Sequence, residues 1–252
     1  MDSVVALVAL GFCIATISSM VGLGGGVFLV PALVLLFGLP AHLAVGTSLA
    51  VMTFSTLSAT LVYARQRRID YRTGLLLDSL DLPGALAGAC IASLLAAEWL
   101  SCTFGFFLLF LSVYILKGQK SSYEQKLTLT PRTLVMVLGT SFASGLVAGM
   151  LGAGGGTIDE SAMILALGMS PSLAAGTSVF AMVPTNVFAT VPHLWMGNVS
   201  WFHVILLAVG MVSGAQVGPR LSRKVKTSTL RKLIGVVFLL IGLRMIFIPY
   251  LT

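Results

Sequence analysis

The sequence predicts an all-α polytopic membrane protein built from two inverted repeats, each a glycine-broken helical hairpin followed by three transmembrane helices. The first observation is composition: 57% of the 252 residues are hydrophobic and 9% are charged, whereas about a quarter of the residues are charged in soluble proteins. The second observation is an internal repeat. The third is the clustering of the basic residues, which predicts the orientation of the chain.

Apolar segments account for most of the chain. Runs of about 18 residues or more without charge are long enough to cross a hydrocarbon core of about 30 Å as helices. The N-terminal run has Asp2 and no basic residue ahead of it, so it lacks the basic region of a signal peptide and is expected to remain a membrane segment. Asp81 alone interrupts the run at 79–97. The other runs cover 3–38, 42–64, 99–116, 133–158, 161–197 and 201–219.

A shift of 130 residues aligns the chain with itself without a gap. Between 20–60 and 150–190, 16 of 41 positions are identical, and the matches include GLGGG with GAGGG and AVGTS with AAGTS. Composition alone gives only a few such matches, so we interpret the halves as structural repeats. The predicted division is a first repeat at 1–119, a cytoplasmic linker at 120–132 and a second, inverted repeat at 133–252.

The basic residues predict which way each half crosses the membrane. Fourteen of the fifteen Lys and Arg residues fall at 65–72, 117–132 and 220–232, and such clusters mark cytoplasmic loops. All three lie on one side only if each glycine-broken segment turns back to the side from which it entered. Each half then makes three crossings, so the second half is inverted. Inverted repeats with discontinuous helices are typical of transporters.

The two glycine runs form the candidate site. Non-helical backbone at membrane depth survives only where protein or a water-filled cavity covers it. Each glycine run interrupts its helix, and we call this interruption a break. The helix after each break directs free N–H groups and the positive end of its dipole at the break, which favours an anion. Alternatively, the glycines only let helices turn and pack. A nucleotide-binding loop is excluded, because Val27 and Thr157 stand where G-x-G-x-x-G needs glycine.

The motifs GLGGG at 22–26, GAGGG at 152–156, the paired AVGTS and AAGTS, and RRIDYR at 67–72 resemble the sulfite exporter or TauE/SafE family of membrane transporters. The resemblance implies a secondary transporter in the cytoplasmic membrane of a bacterium or archaeon, the cell inner membrane. It implies a small sulfur oxyanion or organosulfonate as the substrate, and the inverted repeats predict that this substrate is moved by alternating access. Neither an enzyme activity nor a cofactor is predicted.

The candidate substrate-binding residues lie at the breaks and in the helices that follow them. Hydroxyl and amide groups there can donate to an anion, and hydrogen bonding between helices is the alternative role. No catalytic residue and no metal site are predicted. The candidates are Gly24, Gly25, Gly26, Thr47, Ser48, Gly154, Gly155, Gly156, Thr157, Thr177, Ser178 and Asn186.

Only the second break is followed by acids. Asp159 and Glu160 stand where the first half has Leu29 and Val30, and acids inside a membrane are rare. The pair is predicted to couple transport to protons, because an anion that arrives nearby favours the protonated carboxyl. A site for a cation or a substrate amine stays an alternative. So does a helix cap, because the first turn of a helix favours carboxylates.

Asp78 and Asp81 share a helix face near the basic segment 65–72. A structural ion pair with its arginines is expected, with a proton relay as the alternative.

The expected partners are a small anion and the lipid bilayer, and no nucleic acid, because the basic residues lie in loops between apolar spans. An anion channel is the alternative function. An intramembrane enzyme is a further one, although no protease pattern stands in a recognisable context.

Overall fold

The computed structural model describes residues 2–117, 131–222 and 227–247, and within these ranges the chain forms ten α-helices and no strand. Residues 120–130 of the predicted linker lie outside these ranges, so the repeat boundaries stay predictions. The helices are α1 (Asp2–Val21), α2 (Gly26–Phe37), α3 (Ala41–Arg65), α4 (Tyr71–Leu94), α5 (Ala97–Lys117), α6 (Pro131–Leu151), α7 (Gly156–Ala166), α8 (Pro171–Trp195), α9 (Trp201–Leu221) and α10 (Thr227–Phe247).

Seven helices in the described part of the chain are long and apolar enough to cross a membrane, which confirms the predicted all-helical polytopic membrane protein. They are α1, α3, α4, α5, α6, α8 and α9. In contrast, α2 has 12 residues and α7 has 11. At 1.5 Å per residue these two helices are about 18 Å and 17 Å long, short of a hydrocarbon core of about 30 Å. Neither can cross the bilayer alone.

Each glycine run interrupts the helix where the sequence predicts a break. α1 ends at Val21 and α2 begins at Gly26, and the second half repeats this pattern between α6 and α7. Gly24 and Gly154 have φ angles of 71° and 67°, in the left-handed region that glycine enters without steric cost. The chain therefore turns at both positions, and a new helix starts two residues later.

The two halves interlock through contacts that recur at the 130-residue spacing. α4 packs on α6 with Gly84 against the carbonyl of Phe142, and α9 packs on α1 with Gly214 against the carbonyl of Phe12. A Cβ atom at either glycine would collide with the carbonyl it faces. Such small residues allow the backbones of membrane helices to approach closely. Each half therefore packs against the first helix of the other half. The inversion of the two halves relative to the membrane stays a prediction.

Helices α3 and α8 occupy the centre of the bundle. Of the residues in their candidate membrane spans, 72% and 67% are buried inside the protein, against 39–44% for the other five candidate spans. Both begin soon after a short helix, and each carries one of the Gly-Thr-Ser triplets near its start. The candidate hydroxyls of both triplets are therefore placed in the interior.

Candidate functional site

The two glycine breaks lie against each other in the interior. A Cβ atom on Gly26 would meet the carbonyl of Gly152, and a Cβ atom on Gly156 would lie 2.9 Å from the carbonyl of Gly22. The backbones of the two breaks thus pack directly against each other. Sequence alone places the breaks at equivalent positions, and the structure brings them together.

Serines from the central helices bind the backbone of the breaks. The hydroxyl of Ser48 in α3 donates to the Gly152 carbonyl at 3.0 Å. The hydroxyl of Ser178 in α8 lies 3.4 Å from the Gly22 carbonyl and 3.0 Å from the Gly156 carbonyl. Both serines are fully buried. They lie at the predicted site, and in this conformation their protons go to the backbone of the breaks.

The threonines beside those serines have a different role. Thr47 Oγ1 accepts from the backbone N–H of Ser200 at 3.0 Å, and Thr177 Oγ1 accepts from that of Asp70 at 2.9 Å. Ser200 and Asp70 are the N-cap residues of α9 and α4. The two threonines therefore fasten the starts of neighbouring helices, and the structure does not bring them to the breaks.

The middle glycines of the triplets face outward from the contact between the breaks. A Cβ atom on Gly25 would lie 2.8 Å from Met211 in α9, and a Cβ atom on Gly155 would collide with Ser144 in α6. Ser144 itself donates to the Gly155 carbonyl at 2.8 Å. Of the predicted glycines, the last member of each triplet thus lies in the contact, the first faces two methionines, and the middle one packs on surrounding helices.

Two methionines fill the space beside the breaks. A Cβ atom on Gly24 or on Gly154 would collide with the terminal methyl groups of both Met52 and Met182. These methionines are 0% and 1% exposed. Sequence reasoning missed them, although they are identical residues at the 130-residue spacing, and that identity is the signal that could have found them.

Asn186 brings an amide group to the second break. Its Nδ2 lies 3.5 Å from the Thr56 hydroxyl on α3, and a Cβ atom on Gly154 would lie 3.4 Å from its Oδ1. This oxygen is buried and has no hydrogen-bond partner among the described residues. Thr56 occupies the equivalent position of the first half, so this pair joins the two central helices at the level of the breaks.

Thr157 opens onto a separate cavity. This cavity of about 290 Å³ lies between α5, α6 and α7 and is lined mainly by apolar side chains, with Tyr114, Thr140 and Ser161 among its few polar ones. Thr157 is therefore not directed at the contact between the breaks. A cavity of this character suits lipid or another apolar molecule better than a hydrated anion.

The acids after the second break point to different neighbours. Asp159 is 0% exposed and Glu160 is 4% exposed, and adjacent residues of a helix point about 100° apart. Glu160 lies within electrostatic range of Tyr63 in α3, whereas Asp159 faces Asp81 of α4. Neither carboxyl oxygen of Asp159 accepts a hydrogen bond, and the start of α7 has no side-chain cap. Asp159 therefore does not act as a helix cap in this structure.

The expected ion pair between Asp78, Asp81 and the arginines of 65–72 is wrong. The Thr185 hydroxyl lies 3.3 Å from Asp78 Oδ1 and 3.5 Å from Asp81 Oδ2, and Asp81 also meets Asp159. Arg72 is exposed at the start of α4, and Asp78 lies six residues further along the helix, about 9 Å. The helix thus carries both acids into the interior, beyond reach of that arginine.

A model of the sulfite exporter TauE/SafE family matches residues 7–245 of the chain. The chain belongs to this family. It is therefore a multi-pass membrane transporter and not an enzyme, as the resemblance implies. No solved structure gives a significant match to this TauE/SafE protein.

Curated relatives of this TauE/SafE protein match along nearly its whole length. The probable membrane transporter protein YunE of Bacillus subtilis is 30% identical over 268 residues, with 97% of this chain and 98% of the relative covered. The probable membrane transporter protein YdhB of the same organism is 29% identical, with 94% and 97% covered. The probable membrane transporter protein MJ0441 of Methanocaldococcus jannaschii is 23% identical, with 95% and 94% covered.

Proposed function

We propose that this TauE/SafE protein is a secondary transporter that moves a small anion by alternating access through the region where the two breaks meet. The observation that carries the proposal is the meeting of two equivalent glycine breaks, one from each half, in the buried centre of the bundle. Membrane proteins tolerate irregular backbone at such depth only where protein or a water-filled cavity covers it. Discontinuous helices at the interface of two repeats are a recurring substrate site in secondary transporters.

The chemistry of the breaks favours a negative substrate. α2 and α7 both start at the contact, so the positive ends of two helix dipoles lie near each other. Exposed N–H groups at helix N-termini bind sulfonate, sulfite and similar oxyanions in the same way that they bind phosphate. The Asn186 amide presents its Oδ1 to the second break, and its Nδ2, which lies 3.5 Å from the Thr56 hydroxyl, becomes a donor to the anion only when the side chain turns. We infer that the substrate is a sulfur oxyanion or an organosulfonate, in agreement with the name of the family.

The present conformation is closed at this point. Met52 and Met182 occupy the space beside Gly24 and Gly154. Ser48 donates to the Gly152 carbonyl of the opposite break, and Ser178 donates to the Gly156 carbonyl of its own break. To admit an anion, the methionine side chains must move, which their three rotatable bonds allow. Separation of the breaks would then release the serine hydroxyls as additional donors to the anion.

The chain has no nucleotide-binding motif, so the proposed energy source is an ion gradient. Asp159 and Glu160, buried within the first two turns of α7, are the proposed proton-coupling residues. A negative substrate at the break disfavours a charged carboxylate nearby. Anion binding and proton binding are then linked, and the two move in the same direction.

The experiment is anion exchange by the purified protein in liposomes. Vesicles loaded with one anion are diluted into radiolabelled sulfite, thiosulfate, sulfoacetate, taurine or a carboxylate of matched size. We expect saturable exchange of at least one sulfur anion, with carboxylates competing poorly. Asn186→Leu is expected to raise the anion concentration that gives half-maximal exchange. Ser213→Ala, a change at an exposed position of α9, is the control and should leave this concentration unchanged. Absence of exchange with every sulfur anion contradicts the substrate class, and ion currents far above transporter turnover contradict alternating access.

A further inference from the structure

Three aspartates from two helices meet inside the bundle, away from the contact between the breaks. We propose that Asp78, Asp81 and Asp159 form one proton-binding site, the aspartate cluster, which carries the coupling proton. The inference rests on the proposed function and deepens it, because it assigns the proton to residues of α4 that were expected to pair with arginines. It also makes Asp159, and not Glu160, the partner of those residues.

The aspartate cluster is enclosed by protein. Asp78, Asp81 and Asp159 are 5%, 1% and 0% exposed. Asp78 and Asp81 lie three residues apart on one face of α4, and the carboxyl group of Asp159 faces Asp81 from α7. Each carboxyl is thus within electrostatic range of another one.

Too few donors serve the cluster for all three carboxyls to be ionised. Thr185 Oγ1 reaches Asp78 and Asp81, but it also donates to the Ala181 carbonyl at 3.2 Å, and a hydroxyl has a single proton to donate. Ser144 and the backbone N–H of Gly145 lie beside Asp81, and Ser144 also lies beside Asp159. The Ser144 hydroxyl gives its proton to the Gly155 carbonyl. Four carboxyl oxygens are left buried without a partner: Asp78 Oδ2, Asp81 Oδ1 and both oxygens of Asp159.

No basic side chain compensates the cluster in the described part of the surrounding helices. The described side chains of α6, α7 and α8 include no Lys or Arg, and their only other ionisable groups are Glu160 and His193. His193 bonds the Gly149 carbonyl through Nε2. On α4 itself, Arg72 and Tyr71 are exposed at the helix start. Buried carboxylates so close together cannot all carry charge, so the cluster holds at least one proton.

A proton fits the cluster better than a metal ion. Among the described residues, no three His, Cys, Asp or Glu side chains are arranged to hold a metal. Carboxyl pairs that share a proton need only two oxygens within reach of each other, which Asp81 and Asp159 supply. The transported species is one proton, which binds a carboxylate oxygen from water on one side and returns to water on the other, with no other bond changed.

The other half of the molecule shows that packing does not require these acids. At the 130-residue spacing, the counterparts of the three aspartates are Ala208, Met211 and Leu29. Met211 and Leu29 are both fully buried. Equivalent positions are therefore filled by apolar side chains in one half and by carboxyls in the other, which indicates a role for the acids other than folding.

Adjacent residues of α8 connect the cluster with the break. Thr185 contacts Asp78 and Asp81, and the next residue, Asn186, presents an unpartnered, fully buried amide oxygen at Gly154. Asp159 itself lies three residues after the last glycine of the second triplet. Movement of the second break on anion binding would thus act on the cluster from two sides.

The test separates exchange from net transport. In liposomes with anion on both sides, exchange needs no net proton movement, whereas uptake driven by an imposed pH gradient does. We expect Asp78→Asn, Asp81→Asn and Asp159→Asn to retain exchange and to lose about tenfold or more of the stimulation by the pH gradient, within the usual range of coupling between two sites. Glu98→Gln, an exposed acid at the start of α5, is the control and is expected to respond as the parent does.

A second measurement does not depend on transport. The infrared carbonyl band of a buried protonated carboxyl, followed in the purified parent protein, is expected to be present and to weaken in Asp81→Asn and Asp159→Asn. Asp81→Met and Asp159→Leu, which install the counterpart residues, serve if an asparagine variant does not fold. Full pH-gradient stimulation in all three neutralised variants would overturn the proposal, as would stimulation by a sodium gradient alone. Absence of anion exchange in the parent protein would instead overturn the proposed function.

Discussion

The hydroxyl of Ser48, in the first half of the chain, donates a 3.0 Å hydrogen bond to the carbonyl of Gly152 at the break of the second half. Its counterpart Ser178 lies 3.4 Å from the carbonyl of Gly22 in the first break. Ser178 lies closer, at 3.0 Å, to the Gly156 carbonyl of its own half, so Ser48 makes the shorter serine bond between the halves. Carbonyls freed from helix pairing at this depth need such donors, so the serines stabilise the closed contact between the breaks.

Removal of these hydroxyls is predicted to destabilise the closed conformation. Ser48→Ala leaves the buried Gly152 carbonyl without its donor, which costs about 1–3 kcal/mol, and Ser178→Ala has a similar effect at Gly156, to which Ser178 donates at 3.0 Å. Thermal unfolding of the detergent-purified variants is expected to show lower midpoints than the parent. Ser93→Ala removes an exposed hydroxyl that bonds within its own helix and is the control. Unchanged midpoints for both buried serines would contradict this role.

The glycines of α6 are predicted to differ in tolerance according to what they face. A Cβ atom at Gly145 would collide with the backbone carbonyl of Asp81, whereas nothing lies within 4 Å of one at Gly139. Gly145→Ala should destabilise by about 1–3 kcal/mol through overpacking. Gly139→Ala should be neutral or stabilise by up to about 1 kcal/mol through helix propensity. The unfolding midpoints of the two variants check this, and an equal response of both would contradict the close packing of α4 on α6.

The inverted topology is predicted to place equivalent turns on opposite sides of the membrane. Arg67 and Gly197 lie 130 residues apart, after α3 and α8, and have φ angles of 54° and 72°. Single cysteines at Arg67 and at Met196, which is 39% exposed, should be labelled by an impermeant reagent from opposite faces of a sealed vesicle. The background must lack the three native cysteines, because Cys13 and Cys90 are exposed. Labelling of both turns from the same face would contradict the inversion.

The methionines beside the breaks are predicted to limit the size of the substrate. Met52→Ala or Met182→Ala removes a side chain that fills the space beside Gly24 and Gly154, at a cost of about 2–5 kcal/mol in stability. Exchange of bulkier sulfonates should rise relative to that of sulfite, since the path between the breaks is wider. Met136→Ala, on the exposed face of α6, is the control. An unchanged ratio of the two exchange rates in both variants would show that the methionines do not bound the path.

Much of the fold follows from one-dimensional features of the sequence. Charge-free length predicts the membrane helices, and the glycine runs predict the breaks, because few other residues accept the positive φ angles found at Gly24 and Gly154. The 130-residue repeat predicts which positions are equivalent. These features are local or periodic, so they can be read without knowledge of helix packing.

Which residues form the site depends on how each helix is rotated about its own axis. The sequence does not show this rotation. Thr47 and Ser48 are adjacent, yet one fastens α9 and the other a break. Asp78 was expected to reach the arginines by proximity in sequence, whereas the rotation of α4 directs it to Thr185. In strongly apolar helices the hydrophobic pattern does not distinguish the face toward protein from the face toward lipid, so such pairings were not predictable.

The last prediction concerns the difference in stability between equivalent positions. Asp159 is 0% exposed with both carboxyl oxygens unpartnered, and its counterpart Leu29 is also 0% exposed. An unpaired buried polar group costs about 1–3 kcal/mol, and replacement of a buried ionisable group by an apolar one of similar volume is often stabilising. Asp159→Leu should therefore raise the thermal unfolding midpoint in detergent while it weakens the response to a pH gradient. Leu29→Asp, the reverse change at the equivalent position, should lower the midpoint without adding a response. A lower midpoint for Asp159→Leu would mean that the carboxyl is needed for folding, and the case for a functional aspartate cluster would lose its main structural argument.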